Sequence, residues 1–156
     1  TELVFRGRPL IGTVAPVDVQ RWTRIALGYL IIVTGQIGVW ALVAPASFYD
    51  DFPGLGRAWV SVDGPYNEHL IRDVGALNLA LAMLFVAAWI QLVPKVVLLA
   101  GGAALVWGMP HAVYHLVNTD GFAGDDLAIS LSGLVLFAVC GGGLVWASRH
   151  LEGSAA

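Results

Sequence analysis

The sequence predicts an all-α polytopic membrane protein, a bundle of four transmembrane helices with an extracytoplasmic cap loop. Three observations carry that prediction. Four apolar runs, at 25–43, 74–92, 96–117 and 127–147, have the length of a bilayer-crossing helix, since about 20 residues at 1.5 Å rise cross a ~30 Å hydrocarbon core. The 156 residues are 58% hydrophobic and only 12% charged, and the mean hydropathy is +0.76, values that fit the membrane class and exclude an ordinary soluble domain. The remaining charges sort by sign between successive connections, which a spanning chain explains and a soluble one does not.

The elements follow in order. Residues 1–21 form an arm without hydrophobic periodicity, rich in arginine through Arg6, Arg8 and Arg21. The first run is longer than the 7–15 residue apolar core of a secretory signal. It is therefore expected to be retained as a span, although Ala44-Pro45-Ala46 loosely imitates a cleavage site. A connection at 45–71 carries Phe48, Tyr49, Phe52, Trp59 and Tyr66 among acids, glycines and prolines. At that length it is too long for a plain turn, and its aromatic rings suit the headgroup zone. It reads as a compact cap, with a short interfacial helix around 55–62. Pro94 breaks the chain between the second and third runs and makes a tight helical hairpin. The third connection, 118–126, is a short loop with Gly121 and Gly124, and 149–156 form a tail. The four-helix domain thus covers 22–148.

Arg6, Arg8, Arg21, Arg24, Lys95 and Arg149 fall on one side of the spans. Asp50, Asp51, Asp63, Glu68, Asp73, Asp120, Asp125 and Asp126 fall on the other, with only Arg57 and Arg72. The positive-inside rule then places both termini in the cytoplasm and the cap outside, in a bacterial plasma membrane. No basic patch points to nucleic acid; the expected partners are the lipid bilayer and other membrane-protein subunits. Cys140 is the only cysteine, so no disulfide can form within the chain; it reads as a small apolar packing residue. Glycines and alanines cluster in every span, including Gly28, Gly35 and Gly38 in the first and Gly141–Gly143 in the fourth. Such residues let helix backbones approach closely where lipid removes any hydrophobic drive to associate.

One constellation concerns function. His69 and Asp73 are four apart at the start of the second span, and His111 and His115 are four apart near the same end of the third. The antiparallel hairpin puts His69 level with His115 and Asp73 level with His111. Roughly 9 Å in from that edge by helix rise, Gln36, Asn78, Ser130 and Ser132 form a polar layer to which the first, second and fourth spans contribute. Ionisable groups at membrane depth are candidate functional sites. Three readings compete: structural pairing within the bundle, a haem or metal site using His69, Asp73, His111 and His115, or a lipid-soluble ligand such as a quinone held beneath the cap. Pro110 should kink the third span beside His111. Trp40, Trp89, Trp107 and Trp146 read as interfacial anchors or packing residues.

Three segments resemble the DoxX-like superfamily of small four-span bacterial membrane proteins. They are the first span running into Ala44-Pro45-Ala46-Ser47-Phe48-Tyr49-Asp50, the stretch from Asn67 to Asn78 entering the second span, and the Pro110-His111 turn of the third. The resemblance covers roughly 22–147 and implies a four-helix inner-membrane protein, in a sequence actinobacterial in character. The founding relatives are associated with quinone-linked sulfur oxidation, and many others appear beside oxidoreductases. No cysteine pair or other redox motif supports catalysis here, and no catalytic residue is assigned. The residues favour a non-catalytic accessory subunit of a larger membrane assembly, a respiratory electron-transfer complex. The alternative is a small membrane redox protein binding quinone, haem or a metal at the His/Asp site.

Overall fold

A computed structural model describes residues 18–122 and 124–151. Its long elements are α1 (Val19–Val43), α3 (Glu68–Gln91), α4 (Pro94–Val117) and α5 (Asp126–Leu151). Between α1 and α3 lie a short helix α2 (Pro45–Asp51), a two-stranded hairpin of β1 (Pro53–Gly54) and β2 (Arg57–Ala58), and a 3-10 turn at Ser61–Asp63. The arm and tail expectations at 1–17 and 152–156 lie outside the described residues.

Local chemistry sets the helix ends. The Asp18 carboxylate accepts from the Arg21 backbone N–H at 3.0 Å and starts α1, several residues before the apolar run begins. Asn67 does the same for α3 through the Leu70 N–H at 3.1 Å. The α3 helix stops at Leu92, which turns left-handed (φ 48°), and Pro94 occupies the first turn of α4, where its missing N–H costs nothing. Asp126 stands in the first turn of α5 and Arg149 in its last, each complementing the helix dipole.

The four long helices form a ring in the order α1, α3, α4, α5. Two pairs are tightly joined, α1 with α3 and α4 with α5, and the pairs meet along sparser seams. Glycine makes both tight contacts. A Cβ at Gly75 would stand 2.9 Å from the Leu42 side chain and 3.0 Å from its backbone nitrogen; one at Gly101 would stand 2.7 Å from the Gly141 carbonyl oxygen. At the end away from the cap, Leu27, Leu30, Phe85, Val97, Phe137 and Leu144 build a closed core. The buried hydroxyls of Thr23 and Thr34 are satisfied within their own helix, on the Val19 and Leu30 carbonyls, both at 2.7 Å.

Each long helix carries an apolar window of which only 28% is buried inside the molecule. Most of the apolar surface faces outward, including Ile32, Met83, Val106 and Val139. That is the inside-out distribution that a bilayer demands and water forbids. The chain is a four-helix membrane bundle. The helix expected around 55–62 is absent: helix forms instead at Pro45–Asp51, where Pro45 opens a run free of glycine. Residues 54–56 all take positive φ, and two of the three are glycines, so the chain turns there into a hairpin. Through Pro110 α4 runs on as one helix.

Candidate functional site

The cap is a folded roof. Aromatic contacts run from Trp40 to Phe48 (edge-on, 5.9 Å between centroids), on to Phe52 (tilted, 4.8 Å), and from Phe52 to Trp59 (edge-on, 6.1 Å). Phe48 packs with Ala41 and Ile71 over the ends of α1 and α3. The Tyr49 hydroxyl donates to the Gly64 carbonyl at 2.6 Å, and the Trp59 backbone N–H donates to the Phe52 carbonyl at 2.7 Å. On the far side Arg57 reaches the head of α5, ion-pairing with Asp125 at 3.1 Å and with Asp126. Hydrogen bonds from Arg57 and its charge hold the Asp125 carboxyl below the usual carboxylate range, and the same contacts push the guanidinium up.

Beneath this roof, inside the ring, lies a cavity of about 540 Å³, a size typical of small-molecule sites. Its wall is overwhelmingly apolar: Val33 and Ile37 from α1, Ile71 and Val74 from α3, Leu134 and Phe137 from α5, and the cap rings. Three residues of α4 face into it at helical spacing, Trp107, His111 and His115. Trp107 packs against His111 and Phe137, each at 4.9 Å between centroids. His115 is 6% exposed, edge-on to both Tyr114 and Phe122.

The two imidazoles form a dyad, Nε2 to Nε2 at 3.1 Å. One nitrogen donates and the other accepts, so a neutral pair leaves one Nδ1 carrying a proton and the other bare. His115 Nδ1 is buried and has no hydrogen-bond partner among the described residues; nor does the indole Nε1 of Trp59, another wall residue. A buried polar group without a partner costs about 1–3 kcal/mol. Both nitrogens belong to side chains that line one apolar cavity, although each atom is itself covered by packing, so a ligand's polar head reaches it only if the ring turns.

The expected His/Asp constellation is divided by the structure. His111 and His115 come together, whereas His69 and Asp73 pair with each other at 3.4 Å on the outside, 87% and 57% exposed. The buried face of α3 is set by Ile71, Gly75 and Asn78, and residues 69 and 73 lie on its opposite side. Levels inferred from the hairpin do not fix the rotation of the helix. The polar layer divides likewise. Ser130 reaches the cavity wall; Asn78 is fully buried away from it, with Nδ2 on the Val74 carbonyl and Oδ1 without a partner among the described residues. Ser132 is exposed and bonds back to the Ala128 carbonyl, and Gln36 is exposed on α1. Among the described residues no group of three or more His, Cys, Asp or Glu side chains could hold a metal ion.

Tyr29, Trp59 and Trp107 are wall residues that sequence reasoning did not single out for the site. The spacing of Trp107, His111 and His115, four by four, was the available signal. Comparison with protein families, curated proteins and solved structures finds no match to this chain.

Proposed function

We propose that this protein binds a lipophilic small molecule beneath its cap, its polar head held by the His111–His115 dyad. The observation that carries this reading is the His111–His115 dyad on the wall of an apolar 540 Å³ cavity, with the His115 Nδ1 unsatisfied among the described residues. Among the described residues no lysine or arginine lines that cavity, so an anionic head would lie there without a countercharge from them, at a heavy desolvation cost. The favoured head is uncharged and bears a carbonyl or hydroxyl oxygen. A dyad offering one donor and one acceptor suits either form, and a quinone or its reduced diol is one such ligand. Equilibrium titration of detergent-solubilised protein with a short-chain quinone, read by quenching of the cavity tryptophans, tests this. Saturable quenching that His111→Phe and His115→Phe each weaken by tenfold or so, a loss of about 1.4 kcal/mol, supports it. Unsaturable quenching, identical in the variants, refutes it.

A second reading, an accessory subunit of a larger electron-transfer assembly, draws on Gln36. Its side chain is exposed on α1 about 10 Å from the helix end by rise, and an amide facing hydrocarbon is costly without a partner. A neighbouring helix supplies such a partner. Purification in mild detergent should then recover stoichiometric membrane subunits, and a lone chain would count against it. Both readings are compatible with a DoxX-like protein of the plasma membrane. Arg21, Arg24, Lys95 and Arg149 at the end opposite the cap support cytoplasmic termini and an extracytoplasmic cap.

A further inference from the structure

The cavity is closed below by the core and only partly roofed by the cap, whose exposed residues Asp63, Gly64, Pro65 and Asn67 also line it. Two residues of α5 that line it, Ile129 (42% exposed) and Gly133, are also exposed on the outer surface of the bundle. They border the seam with α1, one of the sparse contacts of the ring. From Asp126 to Gly133 is seven residues, about 10 Å along the helix and so at the depth of the hydrocarbon. The seam is bridged lower down by one polar contact, the Tyr29 hydroxyl donating to the Gly133 carbonyl at 3.4 Å. That distance is long for an O–H···O bond, and the contact is easily given up.

We infer that the cavity opens sideways into the bilayer between α1 and α5, past Gly133, and is loaded with an uncharged amphiphile already dissolved in the membrane. This rests on the binding reading above and adds the route and the source of the ligand. Three features favour the route. Gly133 contributes no side chain to the seam, and a Cβ built there meets nothing within 4 Å. On the aqueous side the exposed wall residues Asp63, Gly64, Pro65 and Asn67 put a carboxylate and an amide at the rim, an unfavourable path for an apolar chain. The other sparse seam, α3 with α4, exposes the wall residue Leu70 in the first turn of α3, at headgroup rather than hydrocarbon level.

The open space at Gly133 makes the test clean, because Gly133→Leu can plug the seam without straining the backbone. Gly143→Leu is the matched control: the same helix, exposed, the same open space, and no part of the cavity. The protein is reconstituted in phosphatidylcholine vesicles and mixed with donor vesicles holding a diazirine-bearing hexadecanol. Samples are photolysed at timed intervals, and labelled cavity residues are mapped by mass spectrometry. Gly133→Leu should slow labelling of the Trp107 and Phe137 peptides at least about tenfold, the effect of some 1.4 kcal/mol of added barrier. Gly143→Leu should label at the wild-type rate, and Tyr29→Phe, which removes the bridge, should label faster. Wild-type labelling that Gly133→Leu leaves unchanged, or that Leu70→Trp slows instead, overturns the seam while the binding reading stands. No saturable cavity labelling in the wild type removes both.

Discussion

Gly101 and Gly102 are adjacent on α4, and substituting each by alanine should move stability in opposite directions. A Cβ at Gly101 would stand 2.7 Å from the Gly141 carbonyl oxygen, 2.9 Å from the Val145 nitrogen and 3.0 Å from the Leu144 Cβ. Two of those three atoms are backbone, so no rotamer change relieves the clash and α4 must move away from α5. Overpacking of this kind costs about 1–3 kcal/mol. At Gly102 the added methyl meets nothing within 4 Å, and only the helix preference for alanine remains, worth about 0.5–1 kcal/mol in favour. The gap between the variants should therefore be at least about 1.5 kcal/mol, the sum of the lower bounds. Reversible unfolding by sodium dodecyl sulfate in mixed micelles, followed by helical circular dichroism, measures it. Equal stability of Gly101→Ala and Gly102→Ala would refute the close approach of α4 and α5 and the ring order with it.

Other perturbations probe the rest of the molecule. Asn78→Leu removes a fully buried amide whose Oδ1 has no partner among the described residues, and should raise stability by about 1 kcal/mol in the same assay; a loss of that size would mean that the amide is satisfied. Arg57→Gln should release the cap from the head of α5 and speed amide hydrogen exchange in residues 57–63, leaving exchange in the α1–α3 contact unchanged. Acid should do the same from the other side of the ion pair. Because the Asp125 carboxyl is held low in the fold, its stabilising contribution is complete above the ordinary carboxylate range and is lost as pH falls through the depressed value. The indole signal of Trp59, assigned with Trp59→Phe, should therefore stay fixed at neutral pH and move only below about pH 4; movement near neutrality would remove Asp125 as the titrating group.

Much of the fold was legible in the sequence because lipid imposes so coarse a rule. Runs long and apolar enough to span can be counted, and the helices depart from 25–43 and 127–147 mainly where caps and interfacial residues extend them. What apolar length does not encode is rotation. The Pro94 hairpin predicts His69 and His115 at one level, yet α3 turns His69 outward because Gly75 and Asn78 claim its inner face. Gln36 fails for the same reason: Thr34 and Gly38 define the buried side of α1 and leave 36 on the lipid side. The connection at 45–71 was readable as a compact, aromatic-rich segment, but its helix was misplaced. Three consecutive positive-φ residues outweighed the apolar tone of 55–62. The cavity itself was invisible in one dimension, being a gap between two helix pairs whose tight contacts lie elsewhere.

The account depends on something occupying that gap. Native mass spectrometry of protein released from its own membranes in mild detergent, with extraction and identification of any bound compound, tests this most directly. The prediction is an uncharged lipophilic molecule, equimolar with the chain and lost from a folded His111→Phe, His115→Phe double variant. A wild-type chain that carries nothing beyond annular lipid, or a double variant that keeps the compound, would contradict it.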